Sequence, residues 1–148
     1  MTPFVLDNSV VMAWAFKDER NAYAESVLAA LQRGSAVVPP IWPFEVVNVL
    51  RTAEKRKRLT RADAMGFIQL LEHLRIDVTE VSTMDSLFLL AMESDITSYD
   101  ASYLMLALSE GIPLATSDAP LRRAAEAMGV KLFQPEPLEG EPDEQSNH

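Results

Sequence analysis

Cysteine is absent from all 148 residues. A disulfide framework and any thiolate metal centre are therefore excluded, and a reducing compartment is expected. Histidine occurs only at His73 and His148, too few for an ordinary zinc site. No apolar run approaches the roughly 20 residues needed to cross a bilayer. The start, Met1-Thr2-Pro3, has no basic region, and Asp7 interrupts the first apolar run, so no signal peptide is expected and the reading is a soluble cytoplasmic protein. Positive charge is also scarce: 13 Lys and Arg stand against 22 Asp and Glu, a net charge of −9. Taken whole, that balance disfavours a nucleic-acid partner. Its distribution softens the objection. Residues 135–148 carry Glu136, Glu139, Glu141, Asp143 and Glu144 with no Lys or Arg, and −9 less these five acids leaves −4 for the rest.

What is present reads as alternating strands and helices. Phe4-Val5-Leu6 is a buried strand ending at Asp7. Ser9 is expected to cap a helix through Phe16, and a second helix fits Arg20 to Gln32, stopped by Gly34. Ala36-Val37-Val38 is a second strand, and Pro43 suits the first turn of the helix that follows it. Thr60 with Asp63 reads as an N-cap with an acid in the first turn, opening a helix to about Leu74. Val78 lies in a third strand, and Asp85 to Glu93 is helical by its Leu and Met content. Ser98 is expected to cap a helix that Gly111 ends. Pro113-Leu114-Ala115 is a fourth strand, a helix begins near Ala119, and Val130-Lys131-Leu132 is a fifth strand. The pattern indicates an α/β domain over residues 1–134, with a parallel sheet of about five strands covered by helices on both faces. Residues 135–148, acidic and rich in proline, are expected to form a flexible tail.

Four acids fall where such a sheet gathers functional groups. Asp7 follows the first strand, and Asp118 lies two residues after Thr116 at the end of the fourth. Ligands of parallel sheets bind beyond the carboxyl ends of strands. Glu45 and Asp100 lie in the first turns of helices. Singly, an acid there also serves to complement the helix dipole or to cap the helix, so the set carries the inference. Two carboxylates ~5 Å apart at an effective dielectric of ~20 repel by about 3 kcal/mol. Four sharing a pocket cannot all stay ionised without a cation, and oxygen donors without His or Cys select Mg²⁺ or Mn²⁺. Such an ion completes its shell with a substrate phosphate, the chemistry of phosphodiester hydrolysis.

The stretches holding these acids resemble a known family. FVLDNSV at Phe4–Val10, PFEVVNVLRTAEKRKRLT at Pro43–Thr60, and ITSYDASYLMLALSEGIPLATSDAPLRRAAEAMGV at Ile96–Val130 resemble the motifs of the PIN domain, in order, over roughly residues 3–133. Within it, the chain is most similar to the VapC-type toxins of toxin–antitoxin pairs. The resemblance implies a single PIN domain and a Mg²⁺- or Mn²⁺-dependent endoribonuclease that cuts structured RNA, forms a homodimer and is inhibited by a cognate antitoxin. Asp7, Glu45, Asp100 and Asp118 match the family's acidic quartet. Ser9 and Thr116 match positions that supply hydroxyls near the metal, and Asn48 matches a polar position beside the site.

Other residues have two readings. Arg51, Lys55 and the basic block to Arg61 are candidate phosphate contacts or a solvated helix end. Arg122 and Arg123, one turn after Asp118, are further candidates for RNA contact. Trp14, Phe16, Trp42 and Phe44 suit base stacking, though such aromatics more often serve a core or interface. Tyr99 and Tyr103 flank Asp100 as packing residues with reachable hydroxyls. Two functional alternatives stay open: a PIN module that binds RNA without turnover, and a receiver-like phosphoacceptor domain.

Overall fold

In the computed structural model, which describes residues 2–81 and 83–136, four short strands form one parallel sheet. They are β1 (Phe4–Leu6), β2 (Ala36–Val38), β3 (Ile76–Val78) and β4 (Leu114–Ala115), in the order β3-β2-β1-β4. Successive side chains of a strand point to opposite faces, and Phe4, Val5 and Leu6 are all fully buried. Both faces of the sheet are therefore covered at its centre, as a parallel sheet requires. Each such side chain contributes about 1.5–3 kcal/mol on burial.

The covering helices are α1 (Asn8–Ala15), α2 (Ala22–Leu31), α3 (Trp42–Lys55), α4 (Arg61–His73), α5 (Met84–Ser94), α6 (Ser98–Glu110) and α7 (Ala119–Ala127), with a 3₁₀ turn at Lys17–Glu19. α3 shows how sequence sets packing. Trp42, Val46, Leu50 and Ala53 recur at helical spacing and are buried, whereas Phe44, Val47, Asn48 and Arg51 face outward. Thr60 and Asp63 form a reciprocal capping box that opens α4. Gly111 closes α6 at φ 65°, a left-handed conformation that glycine adopts without penalty.

Three expectations need correction. The fifth strand at Val130–Leu132 is reduced to one parallel bridge between Leu132 and Leu114. β4 offers only two residues to pair with, and Pro135, lacking an N–H, follows closely. The cap of α1 is not Ser9: Asp7 occupies that position, and its side chain makes no capping bond. The cap of α6 is Thr97, not Ser98, with its hydroxyl accepting from the Asp100 N–H at 3.1 Å. The expected tail lies outside the described residues from 137 onward. The strand order also differs from the 2-1-3-4-5 order of receiver-type sheets, which removes the phosphoacceptor alternative.

Candidate active site

Sheet register brings the ends of the domain together. Leu6 pairs with Ala115, and the Asp7 N–H donates to the Ala115 carbonyl at 3.0 Å. The next residue on each strand, Asp7 and Thr116, must then be neighbours. Thr116 Oγ1 donates to Asp7 Oδ2 at 2.8 Å, and Ser9 Oγ donates to the same oxygen at 2.6 Å. The two hydroxyls in turn accept backbone N–H groups, Asp118 onto Thr116 and Ser117 onto Ser9, both at 3.0 Å. Ser9 and Thr116 therefore fasten the strand-end loop to Asp7. Asp7 is only 5% exposed, and burial pushes its pKa up against these two bonds.

Asp118 caps α7, accepting the Leu121 N–H at 3.0 Å, and its charge raises Asp7 further. Glu45, in the first turn of α3, accepts from Tyr103 Oη at 2.5 Å. Burial raises the Glu45 pKa first, the Tyr103 bond opposes that, and the Asp7 charge adds to it. Asp100 feels all three others. Burial, then the charges of Asp7, Asp118 and Glu45, push it up to about 6. The four acids thus share one electrostatic neighbourhood at the carboxyl ends of β1 and β4. No Lys or Arg among the described residues forms an ion pair with any of them. Nor are three of them drawn into a ready-made cation cage among those residues. They are near enough to repel and held apart by local bonds.

The remaining candidates divide. Asn48 and Arg51 line an open cleft with Glu45, whereas Lys55 lies at the far end of α3 and does not line it. Arg122 acts on Tyr23, whose hydroxyl donates to the Phe133 carbonyl at 2.9 Å and whose pKa burial pushes up to about 12. Arg123 lines a separate depression with Glu93, Asp95 and Pro120. Arg58 of the basic block lies over the Phe16 ring at 4.2 Å and bonds Asp18 at 3.2 Å. Tyr103 is the residue that sequence reading undervalued: it is fully buried and holds Glu45. Its place one turn after Asp100 on α6 was the available signal. Asn8, beside Asp7, also keeps a buried amide oxygen with no partner among the described residues.

The PIN-domain family model matches residues 4–127, spanning every one of these acids. The chain belongs to the PIN-domain family. PIN domains are generally nucleases, and a pocket of four neighbouring carboxyls, with Asp7, Glu45 and Asp100 raised, is consistent with that membership. Among solved structures, the chain is similar to PAE2754 from Pyrobaculum aerophilum, with 24% identity, a TM-score of 0.66, and coverage of 83% of this chain and 79% of that one. It is also similar to VapBC2 from Rickettsia felis bound to a DNA fragment from its promoter, with 13% identity, a TM-score of 0.64, and coverage of 89% and 98%. At these identities the likeness concerns the fold. No match was found among curated proteins. No helix among the described residues is long and apolar enough to cross a membrane.

Proposed function

We propose that this PIN domain is a divalent-metal-dependent endoribonuclease, acting in the cytoplasm as the toxin of a VapBC-type pair. The observation that carries the reading is the gathering of Asp7, Glu45, Asp100 and Asp118 around one strand-end pocket, where Asp7, Glu45 and Asp100 are raised and no Lys or Arg among the described residues pairs with the four. An all-oxygen donor set, with Ser9 and Thr116 hydroxyls beside it and no His or Cys, fits Mg²⁺ or Mn²⁺. Asp7, Asp100 and Asp118 would hold the ion, with Glu45 as a further ligand or as the group that orients water. When bound, the ion supplies Lewis-acid stabilisation of a phosphoryl oxygen and lowers the pKa of water.

The protein's own part is orientation. Ser9 and Thr116 fix Oδ2 of Asp7. Tyr103 fixes one oxygen of Glu45. A carboxylate already raised by its neighbours is suited to take a proton from water near neutral pH. The expected antitoxin and second copy have unpartnered apolar surfaces to occupy. One is a groove of about 450 Å³ between α3 and α4, lined by Trp42, Val46, Leu71 and Leu74. Another is the exposed stripe Met84, Phe88 and Met92 on α5.

The test is incubation of a labelled, structured RNA with the protein and Mn²⁺, with EDTA and Asp100→Asn as controls. Cleavage that both controls abolish is the expected result. Binding without cleavage at saturating Mn²⁺ would instead favour an RNA-binding module without turnover.

A further inference from the structure

The aromatics of the chain have unequal fates. Trp14 donates its indole N–H to the Ala24 carbonyl at 2.7 Å, Phe16 is buried beneath Arg58, and Trp42 is buried in the core. Phe44 and Tyr99 are left 73% and 57% exposed. They come from different helices, α3 and α6, yet line the same open cleft of about 670 Å³. Each is also next in sequence to an acid of the pocket, Phe44 before Glu45 and Tyr99 before Asp100. Glu45 itself lines the cleft, so cleft and pocket are continuous.

Three residues of the cleft recur at helical spacing. Phe44, Asn48 and Arg51 stand at i, i+4 and i+7, one outward stripe of α3, while the opposite stripe fills the core. An aromatic pair, an amide able to both donate and accept, and a guanidinium make an unusual set for a surface facing only water. A nucleobase attached to a phosphodiester has the matching parts. It has a π-face for the rings, an edge of donors and acceptors for the amide, and an adjacent phosphate for the guanidinium. RNA presents such bases where strands are single, in loops and bulges. Ile41, Pro43 and Val47 complete the lining with apolar surface against which a ring can lie flat.

We propose that this cleft is a nucleobase subsite of the nuclease, in which Phe44 and Tyr99 hold one unpaired base flanking the acid pocket, with Asn48 at its edge and Arg51 on a neighbouring phosphate. The inference rests on the ribonuclease reading and adds a device for choosing the bond: the base that enters the cleft sets the position of its neighbouring phosphate relative to Asp7, Glu45, Asp100 and Asp118.

The experiment uses the full chain and single-stranded 12-nucleotide RNAs carrying 2-aminopurine at successive positions, with Ca²⁺ for binding and Mn²⁺ for cleavage. Stacking in the cleft quenches the 2-aminopurine at one position relative to the cut. Phe44→Ala and Tyr99→Ala should remove that quench and weaken binding by about 5- to 150-fold, the range of one lost base–aromatic stack. Phe44→Trp should restore it. Melting temperature and its rise with Mn²⁺ should stay at wild-type values in all three variants, since neither ring is buried. If the alanine variants bind and cut as wild type does, the base subsite is overturned and the nuclease reading survives. If the wild type neither binds nor cuts RNA and does not respond to Mn²⁺, both fall. Variants that cut normally but escape inhibition by a co-expressed protein would assign the cleft to a protein segment and overturn the proposal.

Discussion

Replacing Asp7 by Asn separates a metal-binding acid from a structural one by the sign of its effect on stability. Both hydroxyl donors meet the same oxygen, Oδ2, so an amide whose carbonyl oxygen takes that position keeps both bonds. What disappears is the charge. Two carboxylates ~6 Å apart at an effective dielectric of ~20 repel by about 3 kcal/mol. Solvent reaching the half-buried Asp100 and Glu45 reduces this, leaving a relief of about 1–2 kcal/mol. In EDTA at pH 7.5 the variant should therefore melt about 3–6 °C higher than wild type. Saturating Mn²⁺, at ~100 times its dissociation constant, should stabilise the wild type by about 2.7 kcal/mol, or roughly 8 °C. The variant should lose most of that gain, together with RNA cleavage and growth arrest on expression. Differential scanning fluorimetry with and without metal reads both effects. An Asp7→Asn protein that melts lower in EDTA and keeps the full Mn²⁺ response would refute the reasoning, because Asp7 would then be a fold-holding acid.

Three further outcomes follow from the same geometry. Tyr103→Phe removes the donor that opposes elevation of Glu45, so the acid limb of the pH–rate profile should move to higher pH, with kcat reduced more than KM; an unmoved limb would dissociate Tyr103 from the chemistry. Asp100 is raised to about 6, so in the folded, metal-free protein its neutral form is favoured: its contribution to stability is greatest below the ordinary value of 3.8 and is lost as pH rises through about 6. A cation requires the ionised form, so the Mn²⁺-induced rise in melting temperature should be large at pH 7.5 and nearly vanish at pH 5, which thermal melts across that window check. Thr60→Ala breaks a capping box remote from the acids and should cost about 1 kcal/mol, lowering the melting temperature by about 3 °C while leaving cleavage unchanged.

Most of the frame was legible because its signals are local. An apolar triplet ending in an acid, a Pro-opened helix, and Thr60 with Asp63 each announce themselves within a few residues. The failures arose where tertiary context decided. Ser9 had the composition of a cap, but Thr116 lies 109 residues from Asp7 in sequence, and the network they share recruits the serine instead. Val130–Leu132 has strand composition, but its length of pairing is set by the two residues of β4. Arg122 and Arg123 looked equivalent beside Asp118; one residue of helix turns them toward Tyr23 and toward the end of α5. The fates of the aromatics were equally invisible, since Phe44 and Trp42 differ in exposure only through the phase of α3.

The pairing of Leu6 with Ala115 has a consequence for synthesis. The first carboxylate leaves the ribosome at the outset, yet the hydroxyl and the acid that complete its surroundings arrive more than a hundred residues later. At roughly 5–20 residues per second, several seconds pass during which the nascent chain has no assembled pocket. On the proposed ribonuclease reading, the acid pocket is completed only after α7 has emerged, so the nascent chain carries no assembled site while it is being made.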